Sequence, residues 1–216
     1  MYSNSTTLNS LDDIIKISYS GEIETISPEI ERLSDIREND GFHDNDPVLH
    51  HVKRVVENII LILNNIRHSG DYFNSFIGSS RRKDLLVVSA VFHDIAKGRV
   101  FREDNGITSC PGHEAAGIEM IREFFADRHP GDEELDYVLR VVEAHGAPHV
   151  YLKPDNVNID RDFDMLAERY SGIYPDLLLF LKADVAGSQL HAKNRKLFDF
   201  INNYLDKRIE YAFSLK

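Results

Sequence analysis

The chain has 216 residues, 42% of them hydrophobic and 28% charged, with 12 Gly and 7 Pro. That composition excludes collagenous, low-complexity and wholly disordered chains, and the length suits one domain with an extension better than two independent domains. The net charge of −11 is concentrated early, since residues 1–50 hold 3 basic and 11 acidic side chains. Such a surface argues against binding long duplex nucleic acid, which draws on many phosphate contacts, but leaves room for a small phosphorylated ligand or an RNA 3′ end.

Cys110 is the single cysteine, so neither an internal disulfide nor a thiolate zinc site can form within one chain. The first ten residues are polar, and the apolar runs at Leu85–Val88 and Leu177–Leu181 fall far short of the roughly 18 residues a membrane span needs. A cytoplasmic protein with no membrane partner is expected. Oligomeric state is left open.

In chain order, Met1 to Ser10 reads as a loose tail, and the stretch from Ile15 to Ile26 around Ser20-Gly21 is compatible with a small hairpin. Ser27-Pro28-Glu29 supplies an N-cap, a first-turn proline and a first-turn acid for a helix to about Arg37. The turn-rich segment Asn39 to Pro47 marks entry to the main domain. From Leu49 to about Asn65, Val52, Val55, Val56, Ile59, Ile60 and Leu63 follow the helical period. Further helices are expected at about 83–97, 113–126, 132–144, 160–169, 175–186 and 191–212, joined by Gly- and Pro-bearing connections. The fold class is therefore all-α, with an extension over 1–46 and a domain over 47–216.

Two of these helices carry acids where a core would exclude them. Leu85 to Lys97 is apolar almost all round, yet ends in His93-Asp94, and Leu177 to Gly187 carries Asp184. An ionised carboxylate buried beside an imidazole costs several kcal/mol unless something pairs with it, and a divalent metal compensates both groups. A capped core histidine for the first, and a salt bridge to Lys or Arg for the second, are the simpler readings of each feature alone. Consecutive residues on a helix point about 100° apart, so His93 and Asp94 share a metal only where the helix ends or where the ion sits between them. His51 lies on the apolar face of Val55, Ile59 and Ile62, whereas His50 is turned toward the surface. His113 opens one helix and His145 closes another before Gly146.

Taken in order, His51, His93-Asp94, His113, His145 and Asp184, separated by 42, 20, 32 and 39 residues, resemble the ligand pattern of the HD superfamily of metal-dependent phosphohydrolases. The likeness covers roughly 47–200, and includes Phe92-His93-Asp94-Ile95-Ala96-Lys97-Gly98 and His51-Val52-Lys53-Arg54-Val55. Gly112-His113-Glu114, Ala144-His145-Gly146 and Lys182-Ala183-Asp184-Val185-Ala186-Gly187, together with Ser27 to Leu33, are similar to the HD region of bacterial tRNA nucleotidyltransferases. The nucleotidyl-transferring head of those enzymes is absent, and Ile77 to Arg82 reads as a loop.

The resemblance implies that His51, His93, Asp94 and Asp184 hold one divalent ion and that His113 and His145 hold a second, with Asp94 bridging. Mn, Fe, Ni, Co, Zn and Mg all suit such ligands to different degrees. A pair of ions would activate water for in-line attack on a phosphomonoester or a 2′,3′-cyclic phosphodiester of a nucleotide or RNA end. With one ion alone, His113 or His145 would serve as general acid. Lys97 is expected over the phosphate, or else at a helix C-terminus interacting with its dipole. Arg54 is expected at the substrate or bracing Asp184, and Lys193 and Arg195, in the basic run from His191 to Lys196, at a nucleotide or on a solvated face. Two other functional classes accommodate the same ligands, a di-iron oxygenase and a non-catalytic binding module.

Overall fold

The computed structural model describes residues 10–66 and 70–214; nine of the ten tail residues lie outside that range. Ser10 caps α1 (Leu11–Ser20), accepting the Asp13 N–H at 3.3 Å, and Gly21 ends it at φ +82°. The hairpin compatible with this stretch is thus replaced by a helix that buries Leu11, Ile14 and Ser18 along one face. A serine cap at one end and a left-handed glycine at the other define that helix better than the short alternation defines a hairpin. Ser27 and Pro28 open α2 (Pro28–Glu31) as expected, but the coil tightens to 3₁₀ geometry over Arg32–Ser34. The chain then extends into β1 (Arg37–Glu38), which pairs antiparallel with β2 (Asp46–Pro47).

The expected long helix is α3 (Val48–Asn65). Then follow α4 (Gly70–Asn74), a tight hairpin of β3 (Phe76–Ile77) and β4 (Ser80–Arg81), and α5 (Arg82–Phe92). The segment read as a loop therefore makes a two-residue ladder that turns at Gly78, φ +57°. After α6 (Lys97–Val100), β5 (Arg102–Asp104) and β6 (Ile107–Ser109) form a second exposed hairpin. Helices α7 (His113–Phe125) and α8 (Asp132–Ala144), a 3₁₀ turn over Ala147–Tyr151, α9 (Ile159–Arg169) and α10 (Tyr174–Gly187) complete the central bundle. The last expected helix is split into α11 (Leu190–Lys193) and α12 (Arg195–Ser214). Asn194 lies between them with non-helical backbone, and its side chain accepts the Leu197 N–H at 3.1 Å, so it caps the second piece instead of continuing the first. The fold is all-α with small strand pairs at its edges.

Helix α10 runs through the middle. Leu177, Leu179, Phe180 and Ala183 join the main core with α3, α5 and α8, whereas Leu178, Leu181 and Val185 join a second cluster with Phe163, Ile201 and Leu205. Apolar character all round α10 follows from having a core on each side. Its C-terminal end approaches α3 so closely that a Cβ on Gly187 would lie 2.8 Å from Val55 Cγ2 and 3.1 Å from Val55 N.

The N-terminal end of α10 is fixed differently. Asp176 is fully buried and accepts hydrogen bonds from Arg82 (2.8 Å), Tyr137 (2.6 Å) and Tyr72 (2.5 Å). Burial raises this carboxyl above its ordinary value even against the Arg82 charge. Removing Arg82 would strand a buried acid. Arg82→Ala should cost about 3–5 kcal/mol in chemical denaturation, whereas Tyr137→Phe, which keeps the ion pair, should cost about 1–2 kcal/mol.

Candidate metal centre

The helix bearing His93 and Asp94 ends at Phe92, earlier than its apolar pattern suggests, and residues 93–96 form successive turns before α6. This departure from the helix lets adjacent side chains converge. Across from it, α3 contributes His51 and α10 contributes Asp184; α7 contributes His113 from its first position, and His145 follows the last turn of α8. All six surround one cavity of about 260 Å³.

Three imidazoles are oriented by the same device. Nδ1 of His93 donates to the Ala90 carbonyl (2.7 Å), that of His113 to Cys110 (2.9 Å) and that of His145 to Val142 (2.7 Å). Each ring is thereby held with Nε2 aimed into the cavity. There His93 Nε2 faces His51 Nε2 at 3.4 Å, and His113 Nε2 faces His145 Nε2 at 3.3 Å. Two nitrogen lone pairs repel at that separation unless a proton or a metal cation sits between them.

Asp94 joins the two pairs. Its Oδ2 lies 3.0 Å from His93 Nε2 and 3.6 Å from His51 Nε2, while Oδ1 lies 3.3 Å from His113 Nε2 and 3.9 Å from His145 Nε2. Asp184 Oδ1 reaches His51 Nε2 at 2.9 Å. The donors form two adjoining clusters, His51–His93–Asp94 and Asp94–His113–His145, with ligand atoms close enough in each to share an ion. Four imidazoles and two carboxylates without a thiolate form a borderline-to-hard donor set, so these residues fit divalent metal.

Charge inside the site follows from the same contacts. Burial disfavours the ionised form of Asp94, but His93 and Lys97 outweigh it and hold the carboxyl well below its usual range. Burial likewise opposes ionisation of Asp184, and hydrogen bonds from His149 and His51 reverse the balance. Burial, reinforced by His93, pulls His145 down to about 3, leaving it neutral and ready to ligate. Burial also opposes protonation of His93 and His113, but contact with Asp94 leaves both raised.

The structure gives the expected cations other partners. Lys97 is buried, its Nζ 2.9 Å from Asp94 Oδ2 and 2.8 Å from Glu38. Burial disfavours its charge, but Asp94 and Glu38 more than compensate and raise its pKa. Arg54 binds Asp46 and donates to the Gly187 carbonyl at 2.6 Å, bracing the end of α10 and not Asp184 itself. Lys193 donates to the carbonyls of Asp40 (2.7 Å) and His43 (2.6 Å), and Arg195 to Asp199 and His191. None of Arg54, Lys193 and Arg195 lines the cavity. His50 is exposed, as its position on α3 implies.

Other residues at the site come from segments with no pattern that singles them out. His149 Nε2 lies 2.7 Å from Asp184 Oδ2; its spacing from His145 was the available signal. His43 is buried in the cavity wall, its ring edge-on to His51 at 4.8 Å, and Glu38 stands behind Lys97. Both precede α3, in a stretch whose turn residues mask them.

The HD domain family model matches residues 48–179. Similar proteins named bifunctional uridylyltransferase/uridylyl-removing enzyme occur in Neisseria gonorrhoeae (34% identical over 119 residues, 55% of this chain and 13% of the relative). They occur also in Neisseria meningitidis serogroup B (29% over 188 residues, 79% and 21%) and Aromatoleum aromaticum (32% over 154 residues, 65% and 16%). The chain thus spans about a fifth or less of the length of these relatives. Their name differs from the tRNA nucleotidyltransferases, although the HD likeness is common to both readings. Among the described residues no helix is long and apolar enough to cross a membrane.

Replacing His93 and Asp94 together by Ala should abolish stoichiometric uptake of divalent metal, read by elemental analysis after dialysis. In the unaltered protein, protons compete with metal at His93 and His113, whose raised values mean that they protonate early as pH falls. Metal affinity should therefore rise with pH, and weakening on acidification should begin above the ordinary histidine value of about 6.5, as measured by calorimetry. With most of its His and Asp donors gathered within residues matched over more than half the sequence, the chain belongs to the HD domain family.

Proposed function

We propose that the chain hydrolyses a phosphate ester of a nucleotide or RNA end, with two divalent ions in the adjoining clusters. One ion would be held by His51, His93, Asp94 and Asp184, the other by Asp94, His113 and His145. The observation that carries this reading is the division of the Asp94 oxygens between two pairs of facing imidazoles. The uridylyl-removing part of the relatives' name supports a nucleotide-bearing phosphoester.

When bound, the ions supply Lewis acidity, acidifying water and offsetting charge on the phosphoryl oxygens. The remaining work belongs to the protein. Lys97, clamped between Glu38 and Asp94, fixes the Asp94 carboxylate and compensates part of its charge. His149 holds Asp184 Oδ2, leaving Oδ1 toward His51. His145, kept neutral, presents its Nε2 lone pair, while the backbone contacts of His93 and His113 prevent their rings from turning away.

Chelator-treated protein should lose hydrolysis of 2′,3′-cyclic nucleotides, nucleotide monophosphates and aryl phosphates, and regain activity toward at least one class on adding divalent metal. His113→Ala should lower kcat by at least ~100-fold while retaining metal at the other cluster, as expected for a damaged two-ion site. No turnover of any ester class by well-folded, metal-loaded protein would overturn the proposal.

A further inference from the structure

The cavity wall is unusually poor in free positive charge for a site that receives phosphate. Asp40, Asp94, Glu114 and Asp184 line it, and among the described residues Lys97 is the one lysine or arginine doing so. That ammonium is already paired with Asp94 and Glu38. The other cations expected at the substrate are tied elsewhere: Arg54 to Asp46 and Gly187, Lys193 to two carbonyls, and Arg195 to Asp199. Apart from the histidines, positive potential at the phosphate would come from bound ions.

Two of the four carboxylates belong to the ligand set, but Asp40 and Glu114 do not. Asp40 is held by its own turn, and Glu114 stands at the cavity edge beside His113 and Gly146. Asp40 Oδ1 accepts the N–H groups of Phe42 and His43, each at 2.7 Å. Glu114 Oε2 lies 3.4 Å from His113 Nδ1, and its Oε1 occupies the space beside the bare Cα of Gly146, 2.3 Å from where a Cβ would stand. Glycine at 146 leaves room for a carboxylate at the edge of the cavity. A pocket built to draw in highly charged anions would carry Arg or Lys at such positions.

We propose that the cavity discriminates by charge, accepting the singly charged phosphate of a phosphodiester in preference to the doubly charged phosphate of a monoester, with Asp40 and Glu114 setting that preference. Each extra negative charge on the phosphate meets two fixed carboxylates, whereas the second ester substituent of a diester carries no charge to repel. This inference rests on the phosphohydrolase reading and selects between the ester classes left open there. Hydrolysis of the diester breaks one P–O bond, consumes one water and delivers a monoester and an alcohol. The monoester product then carries the second charge, and the same carboxylates favour its departure.

The test compares dimethyl phosphate with methyl phosphate as ligands of the metal-loaded protein by calorimetry, alongside turnover of bis(p-nitrophenyl) phosphate and p-nitrophenyl phosphate. The unaltered protein should favour the diester in both measurements. In the isosteric double variant Asp40→Asn with Glu114→Gln, the diester-to-monoester ratio should fall by ~10-fold, a value appropriate to two partly screened charges near the ligand. Circular dichroism and metal content should match the unaltered protein. A monoester preference in the unaltered protein overturns the inference and leaves the phosphohydrolase reading standing. A diester preference that the double variant does not change overturns the role of the two carboxylates. Failure to hydrolyse either ester, with metal bound, removes the underlying reading and the inference with it.

Discussion

The structure depends on facing imidazole nitrogens that are kept a little over 3 Å apart inside a buried pocket. Nothing about helix packing favours this arrangement, because burying four imidazoles beside two carboxylates sacrifices solvation at every atom. It becomes favourable with cations between the donors. The surrounding bundle serves that constraint: the early end of α5, the placement of His113 and His145 at helix termini, and the passage of α10 between two cores all bring donors to one point.

The segment before α3 is part of this construction. Glu38 and His43 come from the segment around the β1–β2 pair, before the region matched by the family, yet one clamps Lys97 and the other forms cavity wall. The fold thus separates two tasks. Helices inside the matched region carry most of the prospective ligands, and the preceding loop supplies surroundings that need not be shared with every member of the family.

Much of the bundle was legible because an amphipathic or uniformly apolar run leaves few alternatives: α3, α7, α8, α9 and α10 lie within a residue or two of their expected bounds. Donor order was legible for a related reason, since an acid or imidazole on an apolar face is anomalous whatever the tertiary structure. The misreadings lie where local hydrogen bonds compete with periodicity. Ser10 and Gly21 make a helix of an apparent hairpin, Asn194 interrupts a helix by capping its successor, and residues 93–96 replace α-helical hydrogen bonds by tighter turns although the apolar pattern continues. Long-range charge pairing was hidden altogether. Arg54, Lys193 and Arg195 lie near candidate donors in sequence, but Arg54 meets Asp46 of β2 and the distant Gly187 carbonyl, Lys193 meets carbonyls more than a hundred residues away, and Arg195 meets Asp199 on the next helical turn. His149 and Glu38 were obscured in the converse way, as polar residues in segments where polarity is ordinary.

Helix α10 carries both of its critical acids on one rod. Asp176, in its first turn, is gripped by Arg82 and two tyrosines, and Asp184, eight residues later and about 12 Å along the axis, reaches the histidines. The near end is anchored by Arg82 and the tyrosines; the far end is braced by Arg54 on the Gly187 carbonyl and by His51 and His149 on Asp184. A cation bound there would add to the grip on Asp184, so that occupancy of a small polar cavity would stabilise a helix shared by both cores.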